Sequence, residues 1–258
     1  MKIITSCVAA AIALLGVGSA CAAEADKATV SWVFNDSVAP PDQTAYETAI
    51  KNFNKCLGQH GFKFSWTAWT HETGDTYRYS YVAGPYTWAD VDTMHASGKA
   101  CQDAWRSEGN AHLKSETSAF LVAMPELSRM PKDKNAKPAL INVTYFTLNN
   151  GLEADAAFTD GVKKITAAAE KSKWSLEYTT YKVRGADKDA PDYILVSPYK
   201  SFADYGAGPN PAVWKMLESA DGKQEADAVH KAINDAIKDA SSHVDSYSEE
   251  LTYNTPKK

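Results

Sequence analysis

A spacing of 112 residues organises this chain. Tyr46, Ile50, Phe53 and Leu57 step by four, three and four, the period of one apolar helix face, and Phe158, Val162, Ile165 and Ala169 repeat those steps 112 residues later. Phe62, Phe64 and Trp66, which alternate with polar residues as a two-faced strand does, have counterparts at the same offset in Trp174, Leu176 and Tyr178. Only a few letters recur, among them Lys51 with Lys163 and Thr67 with Thr179. What repeats is the pattern. A chain written this way folds as two like units.

Within the first copy a strand at Val30–Phe34 leads through Pro40-Pro41-Asp42, a turn and helix cap, into the first helix, which Gly58 and Gly61 end. The strand at Phe62–Trp66 follows. Thr73-Gly74-Asp75 turns the chain into a strand carrying Tyr77, Tyr79 and Tyr81, which Gly84-Pro85 closes. Helical sequence begins near Trp88, and Phe120–Met124 is a last strand. In the second copy the strands are Ile141–Tyr145, Trp174–Tyr178, a segment ending in Ser197-Pro198-Tyr199, and Leu251–Tyr253; a helix spans Glu225–Ala240 and helical sequence ends near Ser241.

The order β-α-β-β-α-β, read twice, is that of the ferredoxin-like unit, an antiparallel sheet with both helices on one face. The chain resembles the dimeric α+β barrel families, in which two such units close around a cavity. The fold class expected is therefore α+β, two tandem ferredoxin-like units packed sheet to sheet as a pseudo-dimeric barrel. The boundaries expected are 23–130 and 139–258, with a polar linker at 131–138.

Residues 1–22 read as a signal peptide: Lys2, an apolar run to Val17, and small residues at Ala20-Cys21-Ala22-Ala23. Acylation of Cys21 is the competing reading, but Gly18 stands where a lipobox has a large aliphatic residue. No later segment has the roughly 20 apolar residues of a membrane-spanning helix. Periplasmic or secreted export is expected. Of the four cysteines, Cys7 and Cys21 fall in the leader or at its border, so Cys56 and Cys101 are expected to pair as a disulfide in an oxidising compartment. A formal charge of −5 without a basic block argues against nucleic acid and anionic membrane surfaces as partners.

Strand alternation sorts Trp32, Phe34, Tyr79 and Tyr81 beneath the helices and sends the intervening residues to the barrel interior. On that reading Lys63, Arg78, Glu177 and Glu250 line a polar lumen, where a ligand or mutual pairing offsets their desolvation. Asn142, Thr144 and Thr179 join them. The stretch Tyr86–His95 resembles the strand-to-helix segment of antibiotic-biosynthesis-type monooxygenases, whose haem-degrading members use an Asn, a Trp and a His. That resemblance implies Asn35, Trp88 and His95. Chlorite dismutase-like proteins and dye-decolourising peroxidases also carry two ferredoxin-like units in one chain. This second resemblance implies haem with His230 as axial ligand and His243 behind it, although the peroxidases' G-x-x-D-G motif is missing. His71, Glu72 and Asp75 share a hairpin turn, a pattern common in solvated loops, and no metal site is read from them. Nucleotide-binding, zinc-hydrolase and nucleophile-elbow motifs are absent. The function expected is an exported small-molecule binder with a polar barrel cavity. The alternatives are an oxidoreductase of this architecture, with or without haem, and an envelope structural or interaction protein.

Overall fold

The computed structural model describes residues 29–131 and 137–255. The expected signal peptide, with Cys7 and Cys21, and the middle of the linker lie outside them. The first βαββαβ unit comprises β1 (Val30–Val38), α1 (Gln43–Gln59), β2 (Trp66–His71), β3 (Arg78–Tyr86), α2 (Trp88–Gly98), α3 (Gln102–Glu108) and β4 (Leu113–Ala123). The second comprises β5 (Leu140–Leu148), α4 (Leu152–Lys171), β6 (Thr179–Arg184), β7 (Tyr193–Tyr199), α5 (Phe202–Ala207), α6 (Val213–Asp221), α7 (Lys223–Ala236) and β8 (Ile237–Tyr253).

The strands close in the order β1-β3-β2-β8-β5-β7-β6-β4, every neighbouring pair antiparallel. The two sheets thus join edge to edge along two seams, β2 with β8 and β4 with β6, and no unpaired edge remains. The interior is filled. Val33, Trp69, Leu121, Ile141, Val143 and Ile194 form one apolar cluster inside it, as an eight-stranded barrel has room for side chains and little else. Polar side chains do face the barrel, Asn35, Ser80, His71 and Asp245 among them, but the expected lining by Lys63, Arg78, Glu177 and Glu250 is corrected here. Ile141, Val143 and Tyr145 take the inward face of β5, while Phe146 and Leu148 pack under the helices, so Asn142 and Thr144 share the helix side.

Repeat positions hold in the packing: Tyr46 and Phe158, Leu57 and Ala169, Phe62 and Trp174 are buried pair by pair. The starts of β2 and β6 do not. Phe62–Ser65 and Trp174–Tyr178 run before the strands because side chains take the backbone groups a ladder would use. Tyr86 Oη accepts from Ser65 N at 2.9 Å and donates to Ser65 O at 2.8 Å. In the second unit Arg129 donates to Trp174 O and, at 2.7 Å, to Leu176 O. β3 runs on through Gly84-Pro85 to Tyr86, because Gly84, at φ +139°, lets β1 come so close that a Cβ there would sit 2.8 Å from Ser31 Cα. α7 stops at Ala236, since Ile237 onward pairs with β5.

The two helix layers differ. Gly161 brings α4 against α7 so tightly that a Cβ would meet Ile233 Cγ1 at 2.5 Å, and the layer over the second sheet is one continuous core around Phe158, Trp174, Leu217 and Val229. Over the first sheet the second helix is broken into α2, a 3₁₀ turn at Lys99–Cys101, and α3. Only Val91 and Met94 of α2 are buried. A disulfide from Cys56 of α1 to Cys101 of that turn ties the layer together. This layer leaves a cleft.

Candidate functional site

Between α1, α2, α3 and the first sheet lies a cavity of about 380 Å³, at the small end of the roughly 300–1,000 Å³ of ligand pockets. Alternation along β1 and β3 supplies its floor, Trp32, Phe34, Tyr81 and Ala83, and Trp66 continues it on β2. Ile50 and Phe53 of α1, Met94 of α2 and Trp105 of α3 form the roof. The rings are close without filling the space: Trp32 lies 4.9 Å from Phe34, Phe53 stacks on Trp66 at 6.1 Å, and Phe53 is 5.5 Å from Trp105. His95, Lys99 and Gln102 are exposed and mark the open edge.

Asp36 closes one end. It continues the Trp32–Phe34 row of β1 and so projects among aromatic side chains, 2 % exposed. Tyr46 Oη donates to Asp36 Oδ2 at 2.5 Å and lies 3.0 Å from Tyr81 Oη. A phenol has one proton, so Tyr46 gives its own to Asp36 and accepts that of Tyr81. Asp36 Oδ1 has no hydrogen-bond partner among the described residues. The group acting on it is the carboxyl of Glu116, directly opposite in the β1–β4 pair. Asp36 is pushed up to about 7, chiefly by burial, with the Tyr46 hydrogen bond pulling the other way and Glu116 adding to the rise. A buried carboxyl held in that range is a ready proton donor or acceptor near neutral pH. Trp66, which lines the same cavity, holds a second buried polar atom, Nε1, without a partner among the described residues.

The residues expected from sequence are scattered by the fold. Glu250 is exposed on β8 and pairs with Lys51 of α1 outside the barrel. Lys63 is exposed ahead of β2. Arg78 stands half-exposed at the barrel rim, 3.1 Å from Asp75. Glu177 is half-buried ahead of β6. No lumen brings the four together. Trp88, against Phe120, and His95, 6.1 Å from Trp32, share the helix side of the first sheet, but Asn35 bonds Ser80 on the barrel side. The sheet therefore separates Asn35 from the other two. His230 is exposed on α7 with its ring 4.1 Å from that of Trp214. A side chain leaning on an indole at the surface, the rings tilted by 32°, is not set to ligate haem iron, and His95 lies at an exposed edge; the residues do not fit a haem.

Asp36, Tyr46 and Trp66 were not singled out from sequence. For Asp36 a signal existed: a carboxylate two residues beyond Phe34 shares the helix-facing row.

No protein-family model matches the chain, and no curated protein matches it in sequence. Solved structures do. The fold is a dimeric α+β barrel within one chain. An anthrone oxidase-like protein superposes with a TM-score of 0.56 at 11 % identity, over 88 % of this chain and 94 % of that one. A protein of Fusobacterium nucleatum subsp. nucleatum proposed to be a monooxygenase gives 0.55 at 16 %, over 87 % and 94 %. A point mutant of chlorite dismutase from Candidatus Nitrospira defluvii gives 0.54 at 12 %, over 90 % and 96 %. At these identities the likeness is one of fold.

Proposed function

We propose that this is an exported protein that binds a small, flat, mostly apolar molecule in the cleft of the first unit. The observation that carries the reading is an aromatic-walled cavity, two of whose lining residues, Asp36 and Trp66, each hold a buried polar atom without a partner among the described residues, Oδ1 and Nε1. A buried donor or acceptor left unmade costs about 1–3 kcal/mol, and a ligand carrying an acceptor for the indole N–H and a polar atom for the Asp36–Glu116 pair offsets that cost. Export is supported by the leader-like residues 1–22 and by the Cys56–Cys101 disulfide. Among the described residues no helix is long and apolar enough to cross a membrane.

The test is native mass spectrometry of protein purified from its own host. A retained mass in the wild type that is missing from Ala83→Phe, which fills the cleft floor, is the expected outcome. A retained mass shared by both proteins places the ligand elsewhere and overturns the reading.

A second reading, that the cleft is catalytic, is favoured by Asp36 alone, since a carboxyl near 7 is suited to removing a proton from an acidic O–H or C–H. The anthrone oxidase-like neighbour suggests the probe. Anthrone and dioxygen would give anthraquinone and water, and Asp36→Asn should lower any such turnover by 100-fold or more, the scale of a lost acid–base group. Turnover indifferent to Asp36→Asn counts against it.

A further inference from the structure

On the barrel side of the first sheet, away from the cleft, lies a polar cluster that the proposed function does not use. His71 ends β2 and stands opposite Asp245 across the β2–β8 seam. His243 precedes Asp245 by two residues and so shares its face of β8. His71 and Asp245 are buried and His243 is partly so, their side chains 6 %, 2 % and 11 % exposed. Asp245 Oδ1 is 3.1 Å from His243 Nε2 and 3.7 Å from His71 Nε2, and the two imidazoles stack with centroids 4.1 Å apart. Ser80 Oγ lies 3.2 Å from His71 Nε2 and is held in place by Asn35 Oδ1 at 2.8 Å. The turn after β2 is pinned over the cluster by Glu72 N to Val244 O and Val244 N to Thr73 Oγ1.

Hydrogen bonding alone does not account for this arrangement. Asp245 Oδ2 lies 3.3 Å from His243 Nε2 in a hydrogen bond, whereas Oδ1, with two ring nitrogens near it, makes a hydrogen bond to neither. A buried carboxylate facing two imidazoles without a cation is costly. The three donor atoms lie within 4.8 Å of one another. Ligands of a tetrahedral zinc ion, each about 2.0–2.2 Å from the metal, stand roughly 3.3–3.6 Å apart, the range these atoms already straddle. Two imidazoles with one carboxylate are a donor set for a first-row divalent ion.

We infer that His71, His243 and Asp245 bind a divalent transition-metal ion of zinc-like preference, with the Ser80 hydroxyl placed to supply a fourth donor. The site is closed, which marks the ion as structural. Its ligands come from both units, so it pins the β2–β8 seam. Asn35 acts as a positioning residue, orienting Ser80.

The experiment uses untagged full-length protein, stripped with a chelator and titrated with Zn²⁺ by calorimetry and with Co²⁺ by absorption. One equivalent per chain, a Kd in the micromolar range or below, tetrahedral cobalt bands and a higher Tm with metal are expected. His71→Gln and Asp245→Asn should weaken binding at least 100-fold, whereas His230→Gln, on the outer surface, should not. No one-to-one complex in the wild type, or one that both ligand variants leave unchanged, overturns the inference. Should a variant fail to fold, the wild-type cobalt spectrum decides: tetrahedral bands support the site, and an octahedral spectrum rejects it.

Discussion

Asp36 shows how much a single side chain can carry in this fold. An unfolded aspartate titrates near 3.8, whereas in the folded protein burial and Glu116 hold Asp36 at about 7. The folded state therefore binds this proton more tightly. The stability that follows is fully present below about pH 4 and is lost as pH rises through 7, by up to about 4 kcal/mol for a shift of that size. Urea midpoints of the wild type should fall between pH 4 and 7, while Asp36→Asn, which keeps the shape and removes the titration, should flatten that slope. Parallel slopes in the two proteins would mean that Asp36 ionises as an ordinary surface aspartate. The residue was within reach of sequence reasoning, since period-two alternation places it with Trp32 and Phe34. Its neighbour Asn35 was selected instead, on a resemblance whose three residues the sheet divides.

Helices and strands were legible where periodicity was strong and not where side chains replaced backbone partners. α1 and α4 follow their apolar steps, and the aromatic alternation of β3 sorts its faces as expected. Phe62–Ser65 has strand-like alternation, yet Tyr86 satisfies Ser65, and no local pattern encodes a contact from 21 residues away. At this scale the Cys56–Cys101 bond is the testable device, because it holds α1 to the broken helix that roofs the cleft. Its loop of 45 residues corresponds to about 4 kcal/mol in the chain-entropy estimate. Replacing both cysteines by serine should lower the urea-derived stability by about that amount and weaken cleft binding with it. A double variant as stable as the wild type would show that packing alone holds the roof.

Taken whole, the molecule is two like units made unlike by their helix layers. The repeat was readable because it rests on spacing, and the barrel through the family resemblance that the element order carries. The filled interior was not readable, since alternation says which residues share a face but not which face of each strand turns inward; β5 took the choice opposite to the one expected. Nor was the asymmetry, which depends on Gly161 admitting Ile233 in one unit and on a broken helix in the other. That asymmetry is why the proposed site lies in one half of a repeated fold. The most direct measurement of this claim is a titration with N-phenyl-1-naphthylamine, a neutral aromatic probe, read by energy transfer from Trp32, Trp66 and Trp105, which line the cleft. The wild type should show one saturable site, and Ala83→Phe, checked for native circular dichroism, should bind at least about tenfold more weakly, 1.4 kcal/mol or more. Equal affinity in the two proteins would contradict the account.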